Sequence, residues 1–209
     1  MYKILPIFSL FLALIINAKE QNKALNIYTG CGMNTKAVQL AQLLIETQNQ
    51  QRMTLVCNQG LAQAANEKAK IMARSEKVLH NLNNTSPNEL LKNHGIILPL
   101  YYAKIGNQVE SVLGGMQSAQ ETYDLFMTSK EHKNHLLGEN EFYQGQTQIG
   151  VGYYFDKKTK HMDYWVVYIT ALKNNTEEYH LGMNTKPNIL KFKMAKKKKR
   201  LQMPNSRHW

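Results

Sequence analysis

The chain of 209 residues is long enough for one domain with a sizeable hydrophobic core. Its 43% hydrophobic and 20% charged residues are typical of a globular protein and exclude bulk disorder. The net charge of +11 is uneven, because residues 191–209 contain eight Lys and Arg side chains and no acidic one. A nucleic-acid-binding domain would carry its basic residues on a folded face among aromatic side chains, so the composition predicts no specific nucleic-acid partner.

The N-terminus has the features of a secretory signal peptide. Lys3 precedes an apolar run over residues 7–16, and the small Ala18 comes directly before a polar segment. The apolar run is too short to span a bilayer, which requires about 20 residues. We therefore predict a signal peptide over residues 1–18, an N-terminal extension over residues 19–33, and a secreted or periplasmic protein.

The two cysteines predict a disulfide bond. Cys31 and Cys57 both follow the predicted signal peptide, and an exported chain meets an oxidising environment. Neither cysteine has a neighbouring histidine that would indicate a nucleophile. Lipidation of Cys31 is disfavoured, since a charged segment separates it from the apolar run. A bond between the two cysteines is expected to stabilise the fold by roughly 3–4 kcal/mol, because it restricts the unfolded chain.

The local pattern predicts helices in the first part of the chain and a hairpin later. Capping residues followed by apolar positions at helical spacing predict helices over residues 35–50, 61–79, 87–94 and 118–129. Residues 96–115 have no periodic signal and are predicted to be irregular. Runs of β-branched and aromatic residues predict antiparallel strands over residues 148–155 and 164–170, with Gly150 and Gly152 permitting a helix to pack closely. This order indicates an α+β domain with helices on an antiparallel sheet.

Four short blocks occur in an ordered arrangement in the second half of the chain. They cover residues 107–112 (NQVESV), 123–133 (YDLFMTSKEHK), 149–153 (IGVGY) and 164–167 (YWVV). Together they resemble the CAP superfamily of cysteine-rich secretory proteins, antigen 5 and plant pathogenesis-related proteins, which has many secreted bacterial members with SCP-like domains. The resemblance extends over about residues 35–170.

The resemblance implies both a fold and a site. The implied fold is a three-layer α-β-α sandwich with an antiparallel central sheet, here over residues 34–172. The implied site is a surface cleft with two histidines and acidic or polar partners. By their positions, the cleft residues are His80, Glu110, Ser129 and His132.

The chain departs from the commoner CAP pattern at several positions. Val109, Ser111 and Phe126 replace a glycine, an asparagine and a tryptophan. Ser129 lies where many members have a second glutamate. The missing carboxylate is unfavourable to a mechanism with two acidic groups.

The implied cleft offers ligands for a divalent metal. His80 and His132, as neutral imidazoles, suit Zn²⁺ or a similar ion, and Glu110 either ligates the metal or orients a histidine from behind. Water on such a metal could be activated for hydrolysis with Glu110 as base. Structural roles are the alternative: His80 capping its helix, and Glu110 accepting backbone hydrogen bonds in a loop. His135 is expected on a solvated helix face, because its neighbours are polar.

We therefore expect a secreted, non-catalytic binding or interaction module. Its cleft would hold a divalent metal and an extracellular ligand, which is a lipid, a peptide or a glycan. The alternative is a metal-assisted hydrolase of an extracellular polymer. The basic tail over residues 173–209 is expected either to attach to an acidic membrane or envelope surface or to remain solvated.

Overall fold

The computed structural model of the protein describes residues 27–171. The predicted signal peptide over residues 1–18, the first part of the predicted extension and the basic tail over residues 173–209 lie outside the described residues. Within residues 27–171, no helix is both long enough and apolar enough to cross a membrane.

The described chain has an α+β fold, as predicted. A 3-10 turn at Thr29–Cys31 comes first. The α-helices of residues 27–171 are α1 (Thr35–Glu46), α2 (Gln59–Ser75), α3 (Pro87–Asn93), α4 (Ala119–Phe126), α5 (Lys130–Leu137) and α6 (Glu141–Gln144). The strands are β1 (Val56–Cys57), β2 (Glu110–Gly114), β3 (Gln148–Phe155) and β4 (Asp163–Thr170).

Three element boundaries differ from the prediction. α2 ends at Ser75 rather than near residue 79, because Glu76 adopts a left-handed φ of 52°. The helix predicted over residues 118–129 ends at Phe126, and a further helix that was not predicted, α5, begins at Lys130, where the Ser129 side chain caps it by accepting a hydrogen bond from the amide of His132. The segment predicted to be irregular contains β2, a strand too short to show a clear period.

The strands form one mixed sheet in the order β1-β3-β4-β2. The predicted β3–β4 hairpin is present and antiparallel, and β2 pairs antiparallel with β4. β1 runs parallel to β3, so the prediction of a wholly antiparallel sheet is wrong at this edge. A parallel pair requires a long crossover, and the chain from α2 to α6 supplies it.

Helices pack against both faces of the sheet. β4 is buried along its whole length, and its alternate side chains enter two hydrophobic clusters. One cluster joins Tyr164, Val166 and Tyr168 to α2 and α3. The other joins Trp165, Val167 and Ile169 to α1, α4 and α5. The central strand therefore holds the two helical layers together.

Two glycines of β3 set the distance between the sheet and α2. A Cβ atom at Gly150 would overlap the α2 backbone at Ala62, and one at Gly152 would overlap it at Ala65. The prediction that these glycines permit close helix packing is confirmed. The close approach also brings Lys68 of α2 to the sheet, where it is fully buried.

Cys31 and Cys57 form the predicted disulfide bond. The bond joins the 3-10 turn to β1, and Cys31 is fully buried. The next residue, Gly32, forms a bridge with Val151 of β3. The packed part of the protein therefore begins before residue 34, where the sequence places the start of the domain.

Candidate functional site

Glu110 is the first residue of β2, and its side chain is completely buried. Its Oε1 atom lies 2.8 Å from Nδ1 of His80. Its Oε2 atom accepts a 2.6 Å hydrogen bond from the Tyr168 hydroxyl and lies 3.7 Å from Nζ of Lys68. Both carboxylate oxygens are therefore occupied, and a buried ammonium offsets the charge. Of the two roles predicted for a carboxylate at this position, the geometry fits orientation of His80 rather than metal ligation.

Burial and the charge of Glu110 together set the pKa shifts of Lys68 and Tyr168. Burial lowers the pKa of Lys68, and the charge of Glu110 opposes that shift. Burial, together with Glu110, raises the pKa of Tyr168 well above its usual value, so the phenol keeps its proton and donates a hydrogen bond to the carboxylate. Lys68 also donates a hydrogen bond to the backbone carbonyl of His80. One lysine thus holds both the carboxylate and the histidine backbone.

His80 lies in the segment after α2 and does not cap that helix, contrary to the structural interpretation of the sequence. Only 12% of its side chain is exposed. Because a carboxylate only accepts hydrogen bonds, a hydrogen bond to Glu110 places the proton on Nδ1 of His80, and the neutral ring then has its lone pair on Nε2. The Asn107 amide nitrogen also lies 3.0 Å from Nδ1, and in this tautomer it donates to the Glu110 carbonyl instead. The Asn107 side chain fixes the neighbouring backbone, since its Oδ1 accepts from the amide of Glu110 at 2.9 Å and its Nδ2 donates to the Glu110 carbonyl at 3.0 Å.

His132 approaches the same cleft from the first turn of α5. Its ring packs edge-to-face on Phe126, with 4.9 Å between the ring centres. Burial, reinforced by the nearby His80, lowers the pKa of His132 to about 4, against a weaker opposing effect of Glu131. His132 is therefore neutral near pH 7 and has the protonation state of a metal ligand.

Ser129 has a different role from the predicted one. Its hydroxyl accepts a 3.3 Å hydrogen bond from the amide of His132 and donates a 3.1 Å hydrogen bond to Glu131. Ser129 therefore caps α5 and is not among the residues that line the cleft. Glu131 does line the cleft, so a second carboxylate is present two residues beyond Ser129, the position at which the family resemblance implies one.

His135 is buried, so its predicted place on a solvated helix face is wrong. Its Nδ1 atom lies 2.7 Å from the Ser111 hydroxyl on β2. Burial and the charge of Arg52 hold its pKa well below the usual value. The polar neighbours in the sequence concealed this burial, because α5 turns the His135 side chain towards the sheet while Lys133 remains partly exposed.

The structure brings His80, Glu110 and His132 together at one cleft. The lining residues are His80, Asn107, Gln108, Val109, Glu110, Ser111, Glu131, His132, His135 and Tyr143. The cavity between them has a volume of about 20 Å³, which is room for one water-sized group. Any larger ligand must therefore lie across the mouth of the cleft.

Sequence reasoning missed Lys68, Asn107, Glu131 and Tyr168 at this site. Lys68 carried a signal, because it is a charged residue in the Ala-rich apolar stripe of α2 and a buried lysine needs a partner. Tyr168 carried none, since tyrosine is common in a buried strand and its partner is 58 positions away in the sequence.

No family model matches the chain, and no curated protein matches it. Among solved structures, the chain is similar to an outer surface protein from Borrelia burgdorferi. The similarity covers 64% of this chain and 87% of that one, with 19% sequence identity and a TM-score of 0.47. The protein belongs to the α+β class and has a mixed sheet. The side chains of the cleft are the basis for inferring its function.

Proposed function

We propose that the protein is an extracellular binding module of the CAP type, whose cleft binds a divalent metal ion through His80 and His132. The observation that carries the proposal is the hydrogen bond from Nδ1 of His80 to the buried Glu110. A carboxylate on the remote ring nitrogen is the usual support of a metal-binding histidine, because it fixes the tautomer and turns the other nitrogen to the ion. The low pKa of His132 supplies a second neutral imidazole in the same cleft.

The side chains supply only part of a coordination shell. Within residues 27–171, no group of three or more His, Cys, Asp or Glu side chains is arranged to hold a metal ion. An ion on two histidines keeps open positions for water or for a ligand group. When bound, a divalent ion polarises the oxygen atom that it holds. This favours capture of an external ligand, a lipid, peptide or glycan lying across the cleft mouth, over a closed structural metal site.

Several further observations support the extracellular and CAP-type parts of the proposal. The disulfide bond between Cys31 and Cys57 is typical of a protein that folds in an oxidising compartment. The apolar run over residues 7–16 has the length of a signal-peptide core. Helices on both faces of the sheet agree with the α-β-α layering that the four sequence blocks imply.

A metal-assisted hydrolase is the second candidate, and Glu131 is the observation that favours it. This carboxylate is exposed, lines the cleft and adjoins His132 in the sequence. Glu110 is unsuited to act as the base, because both of its oxygens already accept hydrogen bonds in the interior. Glu131 is the cleft carboxylate that could take a proton from a water molecule.

Zinc titration of the purified protein tests the proposed site. Wild type should bind one zinc ion per chain, and His80→Ala and His132→Ala should each weaken binding by at least about tenfold. Glu110→Gln should weaken it as well, because the amide no longer fixes the His80 tautomer. His94→Ala is the matched control, since it removes an exposed imidazole outside the cleft. Unchanged zinc affinity in folded His80→Ala and His132→Ala proteins would refute the site.

The two candidate functions differ in what Glu131→Gln does. A binding module keeps its zinc affinity in this variant and shows no turnover of peptide, ester or glycan substrates in the wild type. A hydrolase turns over one of these substrates, and Glu131→Gln abolishes that turnover while zinc still binds. Circular dichroism of each variant without metal establishes that its fold is intact.

A further inference from the structure

The connection between α3 and β2 presents a group of exposed apolar side chains. Ile97, Leu100 and Ile105 are 67%, 73% and 68% exposed. Tyr101 lies among them and is also more than half exposed. Contiguous exposed apolar surface marks an interaction site, and four large apolar side chains exposed within nine residues favour such a surface here. We call residues 96–106 the apolar loop.

The apolar loop has a fixed base. Leu98 and Tyr102, which alternate with the exposed residues, are buried in the core. The buried Gln108 accepts a 2.7 Å hydrogen bond from the amide of Ala103, and the buried Asn88 donates a 2.9 Å hydrogen bond to the carbonyl of the same residue. These contacts anchor the loop to the core, with some of its apolar side chains inward and the others outward.

The charged side chains of the apolar loop and of its flanking sequence have one sign. Between Leu90 and Val109 the charged side chains are Lys92 and Lys104, both exposed, and no acidic residue occurs. The Lys92 ammonium donates a 3.0 Å hydrogen bond to the backbone carbonyl of Lys104, which places both lysines beside the loop. An apolar tip with adjoining lysines matches the order of a bilayer surface, in which acyl chains lie beneath anionic headgroups.

We propose that the apolar loop docks on an anionic lipid bilayer. Ile97, Leu100 and Ile105 enter the boundary of the acyl chains, and Lys92 and Lys104 contact the headgroup phosphates. The loop continues directly into residue 107, whose side chain lines the cleft, so docking holds the cleft close to the membrane. The docking surface is distinct from the metal-binding residues, and the proposal does not depend on the cleft binding a metal.

Vesicle binding of paired variants tests this surface. The protein is expressed from the full sequence, and its exported form is mixed with vesicles of phosphatidylcholine alone or with added phosphatidylglycerol. Leu100→Ser/Ile105→Ser removes two exposed side chains of the loop. Phe155→Ser/Met162→Ser removes two exposed side chains from the tip of the β3–β4 hairpin. That tip is remote from the loop, because Tyr102 contacts Gln146 and Ala171 at the opposite ends of these strands.

High salt separates insertion from attraction of the basic tail, since exposed charges are screened and apolar contacts are not. Under these conditions, wild type and the hairpin variant should bind the anionic vesicles equally. The loop variant should lose about tenfold or more of its partitioning, because two aliphatic side chains no longer leave water. Equal binding of the loop variant and wild type would overturn the proposal.

A tryptophan at the loop tip reports the depth of insertion directly. Leu100→Trp fluorescence should be quenched by lipids with brominated acyl chains. Quenching of Phe155→Trp should be no greater than that of the wild-type protein, which has two tryptophans of its own. Absence of quenching at position 100 would contradict insertion. Light scattering tests whether the loop instead contacts a second copy of the chain. If the wild type is a dimer that does not bind vesicles, and Leu100→Ser/Ile105→Ser is a monomer, then the loop is a dimer interface and the membrane proposal is wrong.

Discussion

Tyr168 and Glu110 are directly opposite each other in the β4–β2 register, and the tyrosine hydroxyl donates a 2.6 Å hydrogen bond to the carboxylate. The other carboxylate oxygen holds His80. Strand pairing therefore fixes the Glu110 end of the cleft, and a mobile loop is not needed to orient the histidine. Rigid support of this kind is what a binding residue requires if its geometry is to persist without a ligand.

Tyr168→Phe should destabilise the protein by about 1–3 kcal/mol, because a buried carboxylate loses a donor that nothing replaces. The free energy of unfolding from urea titration measures the change. Tyr154→Phe, which removes a hydroxyl from a half-buried residue of β3, is the control and should change it by about 0.5 kcal/mol or less. Equal effects of the two variants would mean that the Tyr168–Glu110 hydrogen bond contributes nothing to stability.

Lys68 and Glu110 should be energetically coupled. Lys68→Met leaves the carboxylate without its buried cation and is expected to cost about 3–5 kcal/mol. The double variant Lys68→Met/Glu110→Gln should cost less than the sum of the single variants, since neither charge then remains alone. Lys70→Met breaks the exposed Lys70–Glu67 pair on the same helix and should cost no more than about 1 kcal/mol. Additive single effects would contradict the coupling.

Acid should destabilise the fold through the cleft histidines. The pKa of His132 is about 4 in the folded protein and 6.5 as its ordinary value. Between these two pH values the unfolded chain binds the additional proton, so the free energy of unfolding decreases as the pH falls and is constant above this window. His132 accounts for at most about 3 kcal/mol of the decrease, and the buried His135 acts in the same direction.

Urea midpoints measured from pH 7 down to pH 4 provide the check on this acid effect. His132→Gln should show a shallower decrease than wild type, because its side chain does not titrate. His94→Gln, at an exposed position, should follow the wild-type curve. Parallel curves for wild type and His132→Gln would show that the His132 imidazole is not held neutral by the fold.

Local signals predicted much of the fold. Asn34 and Asn58 are side-chain caps that mark the starts of α1 and α2, and the polar loop between two aromatic runs marks the β3–β4 hairpin. β1 and β2 were not predicted, because each is short and is defined by a partner strand remote in the sequence. A strand of two residues, Val56–Cys57, has no period at all.

The candidate site was less accessible to sequence reasoning. His80, Glu110 and His132 came from the resemblance of ordered blocks, because no spacing along the chain connects them. Their supports, Lys68 and Tyr168, become evident only when α2 and β4 meet around Glu110. The helix assigned through residue 79 also concealed the bend that carries His80, since a left-handed residue such as Glu76 leaves little trace in a hydrophobic pattern.

Gly152→Ala should show that the site depends on the distance between α2 and the sheet. A methyl group at this position meets the backbone of Ala65, which cannot move as a side chain can, so the helix must shift and we expect a loss of about 1–3 kcal/mol or more. Gly145→Ala is the matched control, because its added methyl group would lie no closer than 3.5 Å to its neighbours and its φ of −70° suits alanine.

Lys68 lies one helical turn from Ala65, so the helix shift caused by Gly152→Ala should also weaken the coupling of Lys68 to Glu110. Repeating the Lys68–Glu110 double-variant measurement in the Gly152→Ala background should therefore give a smaller coupling energy, whereas an unchanged value would mean that the lysine follows the carboxylate independently of helix position.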